Sequence, residues 1–355
     1  MDTTIRESKL SERLTNAIRQ TAPGTALRHA LDMIIAGKLG ALICVGDTDN
    51  VLAAGDDGFK LDISFTANRL FELSKMDGAI VIDKDLTQIL RANYHLNPDP
   101  SLPTSETGMR HRTAARMSLL TRAMVISVSE RRQVITLYVD GRGHQIRTVA
   151  ELMTSVNQLL VSMQNTRLQL DRRLLRLTTL ELDNYVTFAD VAGTLYLFEV
   201  LMTEAEALDR VILQLGREGR TIQMQRDEFI GDMDDMYTLM IRDYARNSSQ
   251  ESALAIRRAM HDTNNTKLRS TKRIAELLGY EGKTDDSTVK PLGLRTLSNV
   301  SVVHEGMADK IVDEYGSLSD LMDDIEQNPD RLDDLGVDNP SILADSLYRM
   351  WGKRA

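Results

Sequence analysis

Apolar positions near the start of the chain recur at helical spacing. Ile5, Leu10, Leu14 and Ile18 predict a helix over 4–20. Pro23-Gly24 breaks it, and Thr25 stands where an N-cap belongs for a second helix over 26–36. GALICVG (40–46) reads as a buried strand, and Thr66 can cap a helix running through Leu73. AIVID (79–83), QILRANY (88–94), AMVISV (123–128) and QVITLYV (133–139) are β-rich runs bounded by turns. Between the second and third of these lies a polar loop, NPDPSLPTSETG, followed by a helix, RHRTAARMSLLTR. Strands alternating with helices over about 140 residues predict one α/β domain.

The pattern then changes. From Val149 a long amphipathic stretch carries Leu152, Val156, Leu159, Leu160, Met163, Leu170, Leu174 and Leu177. Proline is absent from Thr104 to Lys290. Glycine from His144 to Leu278 is limited to Gly193, Gly216, Gly219 and Gly231. So few breakers predict helices, a bundle or a rigid spacer. EGKTDDSTVK (281–290) is polar enough to be a linker, and a small helical module closes the chain. The architecture predicted is an α/β domain (1–147) with a central mixed β-sheet flanked by helices, an all-α spine (148–285) and a helical C-terminal module (286–355).

Composition narrows the classes. With 355 residues, 42% apolar and 27% charged, the chain can bury two or three cores. A lone cysteine, Cys44, leaves no internal disulfide framework and no Cys-based zinc finger. No apolar run approaches the roughly 18 residues of a membrane span, and MDTTIRESKL has no apolar signal region, so a cytoplasmic protein without a membrane partner is expected. The net charge of -9 is concentrated in residues 301–355, which hold 5 Lys/Arg against 13 Asp/Glu. That tail is a poor phosphate binder by charge. No Walker A, dinucleotide fingerprint, GxSxG, HExxH or EF-hand pattern is present.

Several segments could carry chemistry. Asp77-Gly78-Ala79 falls where a helix ends and a strand begins. Gly78 permits close approach of a backbone or ligand, and Asp77 is either a divalent-metal ligand or proton acceptor, or a turn aspartate. Thr104 to Thr113 joins hydroxyls, Gly108, a helix N-terminus and the cations Arg110 and Arg112 around His111. Guanidinium forks suit phosphate. Basic residues there oppose the helix dipole, so stability alone does not explain them. The alternative is a solvated first turn. Leu96, in YHLNPD, can pack on a nucleobase or in the core. Ser129-Glu130-Arg131-Arg132 is a phosphate or metal contact or simply a hairpin. Arg257, Arg258, Lys267, Arg269, Lys272 and Arg273 form a basic run opposed only by Asp262, either a solvated helix face or a source of attraction for DNA.

Taken together, APGTALRHALDMI, GALICVGD, DGAIVIDKD, ILRANYHLNPDPSLPTSETGMRHRTA and VISVSERRQVITLYV make residues 22–141 resemble the diadenylate cyclase family, with DGA and RHR intact. The order of domain, spine and C-terminal module resembles its DNA-integrity-scanning branch. The resemblance implies that two ATP condense to cyclic di-AMP and two pyrophosphates. It implies catalytic roles for Asp77, Arg110, His111 and Arg112. ATP would be bound by Gly78, Leu96, Met109, Arg110, His111, Arg112, Thr113 and Ser129, and Mg²⁺ or Mn²⁺ held by Asp77 and Glu130. It further implies a homo-oligomer, an octamer in that family, with a helix-hairpin-helix as DNA partner. Two departures stand out. Met109 occupies a position where the family usually has Thr. The hairpin Gly336-Val337-Asp338-Asn339-Pro340 puts a carboxylate where a second Gly belongs, and Pro340 has no N–H. The alternative to the cyclase reading is a DNA-binding scaffold or sensor with little cyclase activity.

Overall fold

The computed structural model of the chain describes residues 10–304, 306–328, 331–337 and 340–352. In order, the first part contains α1 (Glu12–Gln20), α2 (Ala26–Ala36), β1 (Ala41–Val45), α3 (Thr48–Ala53), β2 (Gly55–Asp56), β3 (Phe59–Ser64), α4 (Ala67–Leu73), β4 (Ala79–Ile82), β5 (Gln88–Leu96), α5 (Met109–Leu120), β6 (Met124–Ser129), β7 (Val134–Val139) and β8 (Arg142–Ile146). Thr25 and Thr66 cap α2 and α4, their hydroxyls accepting from Arg28 N at 3.1 Å and Arg69 N at 3.2 Å.

The sheet is mixed, in the order β2-β5-β4-β1-β6-β7-β8, with β3 also paired to β5. Only β1 and β4 run parallel; the other pairs are antiparallel. The central strands bury both faces, and their alternation sorts the side chains. Ile43, Val45, Ile80, Ile82, Ile126 and Val128 join Leu27, Leu31 and Ile34 of α2 and Leu70 of α4 in one core. Leu42, Cys44, Val81, Val125 and Tyr138 join Ala114, Ala115 and Met117 of α5 in the other. Burial pushes the Cys44 thiol up to about 12, which leaves it unreactive.

Four elements of this domain carry no clear sequence signal. β2 has two residues. β3 departs from regular register, with Asp62 at φ +51°. β8 (RGHQI) is an edge strand with a mostly polar sequence, as edges tend to be. α3 is a six-residue helix.

Helices α6 (Val149–Leu182), α7 (Phe188–Leu215), α8 (Arg220–Ile230), α9 (Met233–Tyr244), α10 (Gln250–Asp262), α11 (Asn265–Leu268), α12 (Thr271–Leu277), α13 (Leu294–Ser298), α14 (Met307–Tyr315), α15 (Leu318–Gln327), α16 (Arg331–Asp334) and α17 (Pro340–Trp351) follow. The predicted order of α/β domain, long helices and small terminal helices is the one observed. By internal contacts the described residues form two compact units, 10–157 with 209–223, and 158–208 with those from 224 to 352.

Two expectations are corrected in the second unit. The polar segment 281–290 is not a free linker. Phe188 N donates to Ser287 O at 2.9 Å and Val289 N to Val186 O at 3.0 Å, so its backbone is paired although its side chains are polar. The basic run is opposed by more than Asp262. Arg257 is paired with Asp234 and lies 4.9 Å over the Tyr237 ring, and Arg273 reaches Glu276 at 3.3 Å. These partners come from other helices or other turns, which linear proximity does not reveal. Arg269 packs on Tyr196, its Nε donating to the phenol at 3.1 Å. In the terminal hairpin Gly336 has φ +80°, while Asp338 and Asn339 lie outside the described residues.

This unit also buries charge. Glu181, 1% exposed, accepts from Tyr244 Oη at 2.5 Å, Arg295 Nη2 at 2.6 Å and Thr296 Oγ1 at 2.8 Å. Asp243, 2% exposed, accepts the backbone N–H groups of Gly293, Leu294 and Arg295 at 2.9, 2.6 and 3.0 Å. The two carboxylates thus bind α6 and α9 to α13, satisfying the orphan donors at the start of that helix.

Candidate active site at one end of the sheet

Strand register brings the scattered candidates together. Leu42 is opposite Ala79 in the parallel pair, so Asp77 and Gly78 lie level with the entrance to β1. β6 runs the other way with Ala41 opposite Val128, which sets Ser129 beside Gly40. β5 is antiparallel to β4 with Ala79 opposite Tyr94, so Leu96 reaches the same end. α5 begins there too, since Arg110 Nη1 donates to Val128 O at 3.3 Å.

Each residue has a local reason to be where it is. Gly78 has φ +83°, and a Cβ on it would stand 2.8 Å from the carbonyl carbon of Asn93. The close approach expected of this glycine is therefore to β5 itself, and it sets the turn that exposes Asp77. Among the described residues Asp77 has no hydrogen-bond or ion-pair partner. Leu96 is 8% exposed and belongs to the core under α5, so it forms part of the floor.

The start of α5 is open. Gly108 supplies no side-chain cap, and Met109 is 77% exposed. Arg112 is exposed, with no side-chain partner among the described residues, and Thr113 is half-buried. His111 Nδ1 is 2.8 Å from the Tyr138 hydroxyl, which leaves Nε2 to meet a ligand. Burial, helped by the Glu106 carboxylate, holds the Tyr138 phenol above its ordinary range, so it remains protonated at neutral pH.

The loop ahead of α5 is fixed by a residue that sequence reading passes over. Arg116 Nε donates to Leu102 O at 3.0 Å and its Nη2 to Pro100 O at 2.7 Å. Asp99 accepts from Ser101 N at 2.8 Å, and that bond holds its carboxyl below the usual carboxylate range. Spacing offered a clue, because Arg116 follows Arg112 by one helical turn.

Ser129 to Gln133 form the hairpin between β6 and β7. Ser129 Oγ accepts from Arg132 N at 3.3 Å and Gln133 N donates to Ser129 O at 2.9 Å. The hairpin also borders an open cleft of about 800 Å³ lined by Lys38, Arg110, Ser129, Glu130, Arg131 and Gln133. The turn reading and the ligand reading of this segment are compatible. Lys38 and Gln133 carried no motif and were not anticipated.

No group of three or more His, Cys, Asp or Glu side chains gathers for a metal among the described residues. Asp77 is an exposed lone carboxylate, and Glu130 is exposed on the cleft. Such a set suits an ion that keeps several waters and takes its other ligands from phosphates, as Mg²⁺ does.

Residues 28–143 match the family model described as DisA bacterial checkpoint controller nucleotide-binding, and residues 146–287 match the DisA bacterial checkpoint controller linker region. DNA integrity scanning protein DisA of Symbiobacterium thermophilum is 38% identical over 94% of both chains. The protein of the same name from Carboxydothermus hydrogenoformans is 36% identical over 96% of this chain and 97% of its own. That of Corynebacterium glutamicum is 38% identical over 95% and 93%. The chain belongs to the DisA family. It is a diadenylate cyclase, a nucleotidyltransferase, and every candidate site residue lies inside the nucleotide-binding match. No described helix is long and apolar enough to cross a membrane.

Proposed function

We propose that the chain condenses two ATP molecules into cyclic di-AMP and releases two pyrophosphates. The observation that carries this reading is the convergence on one sheet end of an exposed Asp77, without a partner among the described residues, and a helix start that has no side-chain cap and bears Arg110, His111 and Arg112. The 3′-oxygen of one nucleotide attacks the α-phosphorus of the other. A phosphodiester bond forms, the bond between the α-phosphorus and the oxygen bridging to the β-phosphate breaks, and pyrophosphate leaves in line. Asp77 draws off the hydroxyl proton. Arg110, Arg112 and His111 Nε2 hold phosphate oxygens, with Thr113, Ser129 and the N–H of Met109 beside them. Only a backbone donor is asked of position 109, so Met in place of Thr is tolerated. Gly78 and Leu96 wall the nucleoside side. Mg²⁺ or Mn²⁺, held by Asp77 with Glu130 as a second donor, would neutralise charge on the polyphosphate.

One domain offers one such sheet end, whereas the product needs two nucleotides. The reading therefore includes a homo-oligomer with sites face to face, an octamer if the family pattern holds. Coupling to DNA structure is its finer part, supported by the relatives' names and by exposed Arg258, Lys267 and Lys272, whose side chains have no partner among the described residues. Incubating the protein with ATP and Mg²⁺ or Mn²⁺ and weighing the product tests the reading. Cyclic di-AMP and pyrophosphate in a 1:2 ratio are expected. Linear products or none would overturn it.

A further inference from the structure

We propose that the turn between α2 and β1 is a working wall of the polyphosphate site, with Lys38 binding the pyrophosphate end of ATP and Gly40 setting the pose of Arg110. This rests on the nucleotide-site reading above and adds two residues to it. Lys38 is exposed, lines the same cleft as Arg110 and Ser129, and has no acidic partner among the described residues. It is held there by backbone. Lys38 N donates to Ile35 O at 3.0 Å, Leu39 N to Ile34 O at 3.0 Å, and Lys38 has φ +54°. A lysine in the left-handed region is unusual, since Gly or Asn fits there with less strain. The cleft lining carries three cations, Lys38, Arg110 and Arg131, against the single carboxylate Glu130. That balance suits a group richer in negative charge than one phosphodiester.

Gly40 acts through its missing side chain. A Cβ at this position would lie 2.2 Å from Arg110 Nη1 and 2.9 Å from its Cζ. The guanidinium therefore rests directly against Gly40, where its Nη1 reaches Val128 O. An alanine here would displace a flexible side-chain end and no backbone, so the fold should absorb it. The orientation of Arg110 should not survive. Gly40 is thus a positioning residue.

Steady-state ATP turnover and product inhibition by added pyrophosphate on the full chain provide the test. Lys38→Gln should raise KM for ATP and the inhibition constant for pyrophosphate together, each by about tenfold, with kcat changed less than threefold. Lys38→Arg should restore both. Gly40→Ala should raise KM by about tenfold without lowering the melting temperature, and in an Arg110→Ala background it should add nothing further. Unchanged KM and pyrophosphate inhibition in Lys38→Gln would overturn the role of Lys38. An additive effect of Gly40→Ala on top of Arg110→Ala would overturn the role of Gly40. If the unmodified protein turns over no ATP, it is the cyclase reading that fails.

Discussion

The two units of this chain treat charge in opposite ways. At the end of the sheet Asp77, Arg112, Lys38 and Arg131 are exposed, and their side chains have no partner among the described residues. In the helical unit Glu181, Asp243 and Arg295 are almost wholly buried, and each has several partners. Charge left unpaired at an open surface contributes little to stability and is free to meet a ligand. Charge taken out of water must be matched in place, and then it specifies how the helices fit together. The same residue types thus supply chemistry in one unit and architecture in the other.

Mutations can break that contrast. Asp77→Asn is expected to lower cyclic di-AMP formation by about 10³-fold, while ATP still binds and the melting temperature stays put. Near-normal turnover would remove Asp77 from the mechanism. Arg295→Ala should do the reverse. Leaving Glu181 buried without its cation costs about 3–5 kcal/mol, read as a large drop in melting temperature. Replacing Glu181 and Arg295 together by apolar residues of similar volume should cost less than the single change. If the double variant is the worse of the two, the pair is net stabilising.

Arg110→Ala with Arg112→Ala should weaken ATP binding by about 10²-fold by calorimetry. Stability should hold or rise slightly, because both cations oppose the dipole of α5. A loss of stability with unchanged ATP affinity would place these arginines among the architectural charges.

A last prediction concerns pH. Burial, and then the neighbouring Glu181, push the Asp243 carboxyl up to about 7, against the lowering effect of its N–H bonds and of Arg295. The unfolded chain loses this proton near pH 4, whereas the folded chain keeps it until about 7. The contribution is therefore fully present below pH 4 and is lost as pH rises through about 7. Melting temperatures from pH 4 to 7 should show a downward component that Asp243→Asn lacks. Parallel curves for the two proteins would show that this carboxyl titrates alike in both states.

Local rules carried much of the reading. Thr25 and Thr66 cap helices because a hydroxyl three residues ahead of a free N–H needs no distant partner. The central strands and α6 were legible because burial on both faces, or on one stripe, writes itself into a continuous or periodic apolar pattern. DGA and RHR stood out for a similar reason, since their chemistry sits in contiguous residues. What tertiary structure alone decided depends on residues far apart in sequence. The register of β1, β4, β5 and β6 placed Asp77, Leu96, Arg110 and Ser129 at one end of one sheet. Packing gave Arg257 to Asp234 and Arg295 to Glu181, and it paired the polar segment 281–290 with the start of α7. Lys38 and Gly40 belong to this second class. A lysine on a turn and a glycine ahead of a strand have no pattern of their own, and they acquire meaning only when a guanidinium from 70 residues away comes to rest against Gly40 and lines one cleft with Lys38.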